Sequence, residues 1–290
     1  MPEPSYPDSV MTMDVRRFGV RALPSLALAL GMSLVAHAAQ AQSSADACAS
    51  GDPQARVGAC TLLLNRTGLD PAAKLTAYVN RGRAEDALDQ VDAALKDYAS
   101  ALAIDPTNAM ALRSRAVTLH SHGRSADAIA DLTRALASHV DDAITLRVRG
   151  TVYAESGQLG RAVEDFSKVL DQVPGDLTAR EGRGLALAAA GDHGRAIQDF
   201  TRVLQREPRA QVARAARAYS LFRTAQYQRA ITDWDLLLKA DPAQPAVIYC
   251  RGAAKVLGGD ATGRADMDAV RQQQPEVAAA QASACPVPAP

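Results

Sequence analysis

Aromatic side chains are scarce in this chain of 290 residues: one Trp, seven Tyr and four Phe, 4% in all. That is too few for an aromatic-rich β-sandwich but suits helices whose contacts are filled by Ala and Leu, so the composition leans all-α. An excess of one charge is also missing, since 32 Lys and Arg balance 32 Asp and Glu. Neither a dominant nucleic-acid role nor attachment to an anionic membrane is indicated. Four cysteines are too few for a disulfide scaffold of this length, though enough for two bridges in an oxidising compartment. What the chain has in quantity is apolar residues, 48%. They suffice for one extended domain or two compact ones and exclude disorder throughout.

The apolar run at 22–36 falls short of the roughly 20 residues that span a bilayer and contains Pro24 and Ser25. Arg16, Arg17 and Arg21 precede it, and Ala39-Gln40-Ala41 follows. This is the layout of a cleaved export signal, residues 1–41, cut after Ala41, with Ala36-His37-Ala38 as a competing site. Residues before Met11 or Met13 lack the basic character of such a signal and fit an over-extended start. The expectation is a periplasmic chain with no stable membrane insertion once the signal is removed.

From residue 75 the chain repeats itself. Pro106, Pro174, Pro208 and Pro242 lie on a 34-residue period. With Leu75 as position 1, position 8 reads Gly82, Ala116, Gly150, Gly184, Ala218, Gly252, and position 20 reads Ala94, Ala128, Ala162, Ala196, Ala230. Position 24 is large (Tyr98, Leu132, Phe166, Phe200, Trp234) and position 27 is a smaller apolar residue (Ala101, Ala135, Val169, Val203, Leu237). Positions 4, 8 and 11 share one face of a first helix, and positions 20, 24 and 27 one face of a second. Gly or Ala at position 8 permits close helix crossing. Gly123, Gly157 and Gly191 at position 15 fit the turn inside each hairpin, and Asp105-Pro106, Glu207-Pro208 and Asp241-Pro242 the turn between hairpins.

These residues resemble the tetratricopeptide repeat family, with six copies at 75–108, 109–142, 143–176, 177–210, 211–244 and 245–277, the last a residue short. Two departures are local: Val140 replaces the closing Pro of the second copy, and Asp89 stands where later copies have Gly. The resemblance implies a right-handed α-α superhelix, or solenoid, of about six helical hairpins. Residues 42–74 are expected to form an N-terminal cap with a degenerate half-repeat, including a helix over about 53–65. Residues 278–290, in an Ala- and Pro-rich tail, are expected to be disordered.

Two columns exceed what chance produces. Position 7, commonly Leu in that family, is Arg81, Arg115, Arg149, Arg183, Arg217 and Arg251; position 23 is Asp97, Asp131, Asp165, Asp199, Asp233 and, after the deletion, Asp266. Bidentate, partly buried ion pairs are preferred to a row of free anion-binding Arg, because unpaired buried charge is costly. The concave wall implied by the resemblance is lined by positions 2, 5, 9, 12 and 13 of each first helix. Its candidate partner-binding residues are Arg83, Arg113, His120 and Arg147 in the first three copies, and Leu185, Tyr219, Phe222, Arg223 and Tyr249 in the last three. A protein or peptide segment, acidic at one end and apolar at the other, would complement that wall. The family's clamp for a terminal carboxylate has Lys and Asn where this chain has Val79 and Arg83, so no chaperone-tail adaptor is expected.

Other motifs carry little. His120 and His122 face different sides of a helix and do not chelate one metal. Gly182-Arg183-Gly184 and Gly258-Gly259 open no strand-loop-helix unit, so no nucleotide or other cofactor is expected. Cys48 and Cys60 are expected to form a disulfide closing a loop of about a dozen residues; Cys250 and Cys285 pair only if the tail folds back. The leading reading is a non-enzymatic exported scaffold. The alternative is an enzyme or accessory subunit with its site near the cap or in the groove.

Overall fold

The computed structural model describes residues 45–138 and 142–287, which contain helices and turns and no strand. The expected export signal and the altered connection at Val140 lie outside the described residues. A short helical stretch at 45–49 leads into α1 (Pro53–Leu64). Six helical hairpins follow: α2 (Pro71–Ala87) with α3 (Val91–Ile104), α4 (Ala109–Ser121) with α5 (Ser125–Ser138), α6 (Ala143–Glu155) with α7 (Leu159–Gln172), α8 (Leu177–Ala189) with α9 (His193–Arg206), α10 (Gln211–Arg223) with α11 (Tyr227–Ala240), and α12 (Pro245–Leu257) with α13 (Gly263–Gln273). Helix α14 (Pro275–Ala284) closes the chain.

Local signals set these boundaries. Asp70, Asn108, Asp142 and Asp176 cap α2, α4, α6 and α8, each side chain accepting backbone N–H groups of the first turn. Ala210 and Gln244, in the equivalent places, give α10 and α12 no side-chain cap. Position 15 is left-handed in all six hairpins. Gly123, Gly157, Gly191 and Gly259 adopt it without cost, whereas Asp89 (φ 60°) and Ala225 (φ 56°) adopt it against the preference of a side chain.

Within hairpins the small residue at position 8 meets the large one at position 24. A Cβ on Gly184 would lie 2.7 Å from the Phe200 ring, and one on Gly82 would lie 2.8 Å from Tyr98. Phe200 and Tyr98 are thereby fully buried, each burial stabilising by about 1.5–3 kcal/mol. Every helix packs on its neighbours in sequence, and α2 also meets α4, α4 meets α6, α6 meets α8 and α8 meets α10. First helices approach one another where second helices do not, which places the first helices on the inside of the curve.

Both ends are sealed. Helix α1 packs on α2 around the Cys48–Cys60 disulfide, Leu63 and Ala77. The expected disorder of 278–290 is corrected over its described part. Pro275 starts α14, an Ala-rich sequence extends it, and Val277 and Ala278 pack against the cluster of α12 and α13. Cys285 is bonded to Cys250, so the tail folds back over the apolar face that the last repeat would otherwise expose.

Candidate partner-binding groove

The Arg and Asp columns meet inside each hairpin. Nε and Nη2 of Arg81 donate to both carboxylate oxygens of Asp97 at 2.6 and 2.8 Å. The same two-pronged contact joins Arg115 to Asp131 (2.7 and 2.7 Å), Arg149 to Asp165 (2.7 and 2.9 Å), Arg183 to Asp199 (2.8 and 2.9 Å) and Arg217 to Asp233 (2.8 and 2.8 Å). In the shortened last repeat the register changes, and Arg251 keeps a single 2.8 Å contact with Asp266, which Lys255 shares. The carboxylate bond holds Arg81, Arg115, Arg149 and Arg183 above the usual guanidinium value, outweighing burial.

The free guanidinium nitrogen reaches the preceding repeat. Nη1 donates from Arg149 to Thr133, from Arg183 to Ser167 and from Arg217 to Thr201 at 3.2, 3.2 and 3.3 Å. Arg251 reaches Asp235, and Arg81 reaches Thr61 on α1. Position 25 supplies each acceptor within the repeats, and only before Arg115 is it an apolar residue, Ala99. Each such Arg clips its own hairpin and the one before. Arg180 and Arg214 place a second guanidinium near Asp199 and Asp233, at 3.5 and 3.3 Å. The carboxylate-facing edge of Arg81, Arg115, Arg149, Arg183 and Arg217 is thus taken by the Asp of the same hairpin, while Nη1 of Arg115, opposite Ala99, lacks the acceptor that the later arginines have.

The inner face of the first helices carries the remaining candidates. Arg83 is exposed and has no ion-pair partner among the described residues; with Tyr98 and Arg113 it borders a hollow of about 370 Å³. Arg113 and Arg147 are not free. Arg113 donates to Asp142 at 2.6 Å and to Thr145 at 3.1 Å, and Arg147 donates to Asp176 at 3.1 Å. Burial raises the Asp142 carboxyl, but bonds from Thr145 and the Arg113 charge outweigh it and hold the pKa below the usual range. His120 has both ring nitrogens occupied, by Glu155 at 2.6 Å and Ser125 at 2.9 Å. Tyr219 accepts a bond from Arg223 at 2.8 Å, and that guanidinium lies over the ring.

Two expected groove residues belong to the core. Phe222 is 5% exposed and packs against Tyr227 and Trp234. Tyr249 is 2% exposed, its hydroxyl accepting from Arg271 of α13. Both join the apolar cluster of repeats 5 and 6 and the closing helix α14, which draws a large aromatic inward.

Leu185 is 40% exposed and lines a hollow of about 600 Å³ between repeats 3 and 4. Its walls are largely apolar (Leu159, Phe166, Leu177, Val203), with Glu155, Glu181 and Glu207 at its margins. The sequence reading missed two sets of residues here. Val117, Ile144 and Val212 are large and exposed, at positions 9, 2 and 2. With Leu185 they make four of the seven exposed large apolar side chains among the described residues. The position-5 column also changes from Arg113 and Arg147 to Glu181. Reading each column to its end would have found both. Among the described residues no group of three or more His, Cys, Asp or Glu could hold a metal ion, and no helix is long and apolar enough to cross a membrane.

Stacked antiparallel hairpins, clipped by repeating ion pairs, define an α-helical repeat solenoid. The chain belongs to the tetratricopeptide repeat family: that family's model matches at residues 73–143, 121–176, 147–210 and 182–245, over more than half of the chain. Proteins built on these repeats are generally protein-interaction scaffolds. Solved structures share the fold at low identity. A tetratricopeptide repeat protein from Parabacteroides merdae ATCC 43184 is 20% identical, with a TM-score of 0.60 over 85% of this chain and 97% of that one. PilF of Pseudomonas aeruginosa is 19% identical, with a TM-score of 0.61 over 73% and 99%. YrrB, described as having an unusual peptide-binding site, is 19% identical, with a TM-score of 0.55 over 65% and 95%. No curated protein matches the chain significantly.

Proposed function

We propose that the protein is a non-enzymatic, exported scaffold of the periplasm that holds an extended protein segment along the inner face of its first helices. The observation that carries this reading is a set of exposed apolar side chains at groove positions, Val117, Ile144, Leu185 and Val212, of which Val117 lines a hollow of about 370 Å³ and Leu185 one of about 600 Å³. Isolated apolar residues on a surface need no explanation, but exposed apolar residues recurring at the groove positions of successive repeats, two of them lining hollows, support a binding face. Export is supported by the basic-apolar-small layout of residues 1–41 and by two disulfides, which suit an oxidising compartment. In this reading an acidic group of the segment lies at Arg83, whose charge is unpaired, and apolar side chains enter the hollow.

The test is in-cell photo-crosslinking with a benzophenone amino acid at Thr151, in the groove, and at Arg202, exposed on α9. A protein adduct that forms at Thr151, is absent at Arg202 and is reduced by Arg83→Glu is the expected result. Adducts equally strong from the outer helix would overturn the proposal.

A further inference from the structure

Three acidic side chains border the hollow between repeats 3 and 4, and only one has a side-chain nitrogen partner. Glu155 is taken by His120. In repeats 2 and 3 the position-5 side chain is an Arg satisfied by the Asp at position 34, as Arg113 is by Asp142 and Arg147 by Asp176. Repeat 4 breaks both halves of that pattern, placing Glu181 at position 5 and Ala210 at position 34. No cationic side chain pairs with Glu181 or Glu207 among the described residues. The arginines beside Glu181 in sequence are engaged elsewhere: Arg180 with Asp199 and the Pro174 carbonyl, Arg183 with Asp199 and Ser167. Burial and the neighbouring Glu207 charge raise the Glu181 pKa, so the folded chain carries a repulsion that a bound cation would relieve.

Resting on the groove reading above, we infer that this hollow is a subsite for a Lys or Arg side chain of an extended protein segment. Glu181 and Glu207 hold its cationic head, while its aliphatic stem and an adjacent apolar side chain lie on Leu159, Phe166, Leu177 and Leu185. The volume, about 600 Å³, lies within the range of sites that enclose such groups. The bound segment then has its basic residue at repeat 4, and any acidic group toward Arg83 at the other end of the groove. An anionic or purely acidic segment would meet uncompensated carboxylates here, so the subsite also rejects partners.

A random nonapeptide display library tests this, panned on the wild-type chain and on Leu185→Asp, Thr151→Arg and Glu181→Gln/Glu207→Gln, each checked by thermal melting. Enriched peptides are then labelled and titrated by fluorescence anisotropy. The expected result is selection of Lys or Arg beside an apolar residue, with affinity lost on Leu185→Asp or Thr151→Arg. Affinity should fall about tenfold or more on the double Gln variant. Replacing the peptide's Lys by Gln should cost as much on the wild type but little on the double variant. Peptides sensitive to the groove variants yet indifferent to Glu181→Gln/Glu207→Gln would overturn the cation subsite and leave groove binding standing. A library yielding nothing sensitive to either groove variant would overturn both.

Discussion

Removing the carboxylate of Asp165 isolates one rung of the ladder. Asp165→Ala deletes both charge-assisted bonds to Arg149, at 2.7 and 2.9 Å, and leaves that guanidinium with the Thr133 hydroxyl at 3.2 Å. The Arg149 side chain is 15% exposed and that of Asp165 4%, so water reaches the stranded cation poorly. Breaking one partner of a buried pair costs about 3–5 kcal/mol. The residual exposure of Arg149 and its remaining hydroxyl partner place this case near the lower end, about 3 kcal/mol. Replacing both residues, Arg149→Met with Asp165→Leu, removes the desolvated charges together and should cost no more than about 1 kcal/mol. The assay is urea unfolding followed by far-UV circular dichroism, fitted with nearest-neighbour coupling because stacked repeats unfold in parts. Glu164→Ala, exposed on the same helix, is the control and should stay within about 0.5 kcal/mol. If Asp165→Ala matches that control, or if the double replacement is as damaging as the single one, the ladder does not hold the hairpins together.

Further outcomes follow from the same geometry. Ala99→Thr gives Arg115 the acceptor that Thr133, Ser167 and Thr201 give the later arginines. It should raise stability by about 1 kcal/mol in urea unfolding, and by nothing if Arg115 is replaced by Met. Cys250→Ser with Cys285→Ser removes a bridge across 35 residues, which should cost about 4 kcal/mol. Hydrogen exchange should show α14 and α13 opening first, before any change in α2 to α9. Because burial and Glu207 raise the pKa of Glu181 above its ordinary 4.5, its favourable contribution is complete below that value and disappears as pH rises through the raised one. Glu181→Gln should therefore raise the melting temperature at pH 7, and the gain should vanish at a pH below the ordinary glutamate value.

The fold was legible because it is written six times. One column of Gly or Ala facing one column of large residues gives the hairpin, and Arg and Asp spaced 16 apart give the bonds across it. The ends were less legible because they are not repeats. Cys60 lies where position 20 of a degenerate copy would fall, which pointed to the N-terminal bridge, but α14 has no such frame. Its Ala-rich composition fits a helix and a disordered tail equally well until Cys285 ties it to Cys250. Within the groove, a column assigns a residue to a face but does not say whether a neighbour has claimed it. Arg113 and Arg147 stand at groove positions and are held by the capping Asp142 and Asp176. Phe222 and Tyr249 stand at groove positions and are buried in the apolar cluster of the last two repeats and α14. Glu181 was visible as a sign change in its column, and its meaning depended on Ala210, which shares no local motif with it.

The most direct measurement of the central claim is hydrogen exchange across the whole chain, with and without the tightest peptide from the library. Slowed exchange confined to the first helices of neighbouring repeats, strongest in α6 and α8 around Thr151 and Leu185, is what an inner-face binding surface predicts. Protection concentrated on the second helices, or only on α14 and the closing turns, would contradict it.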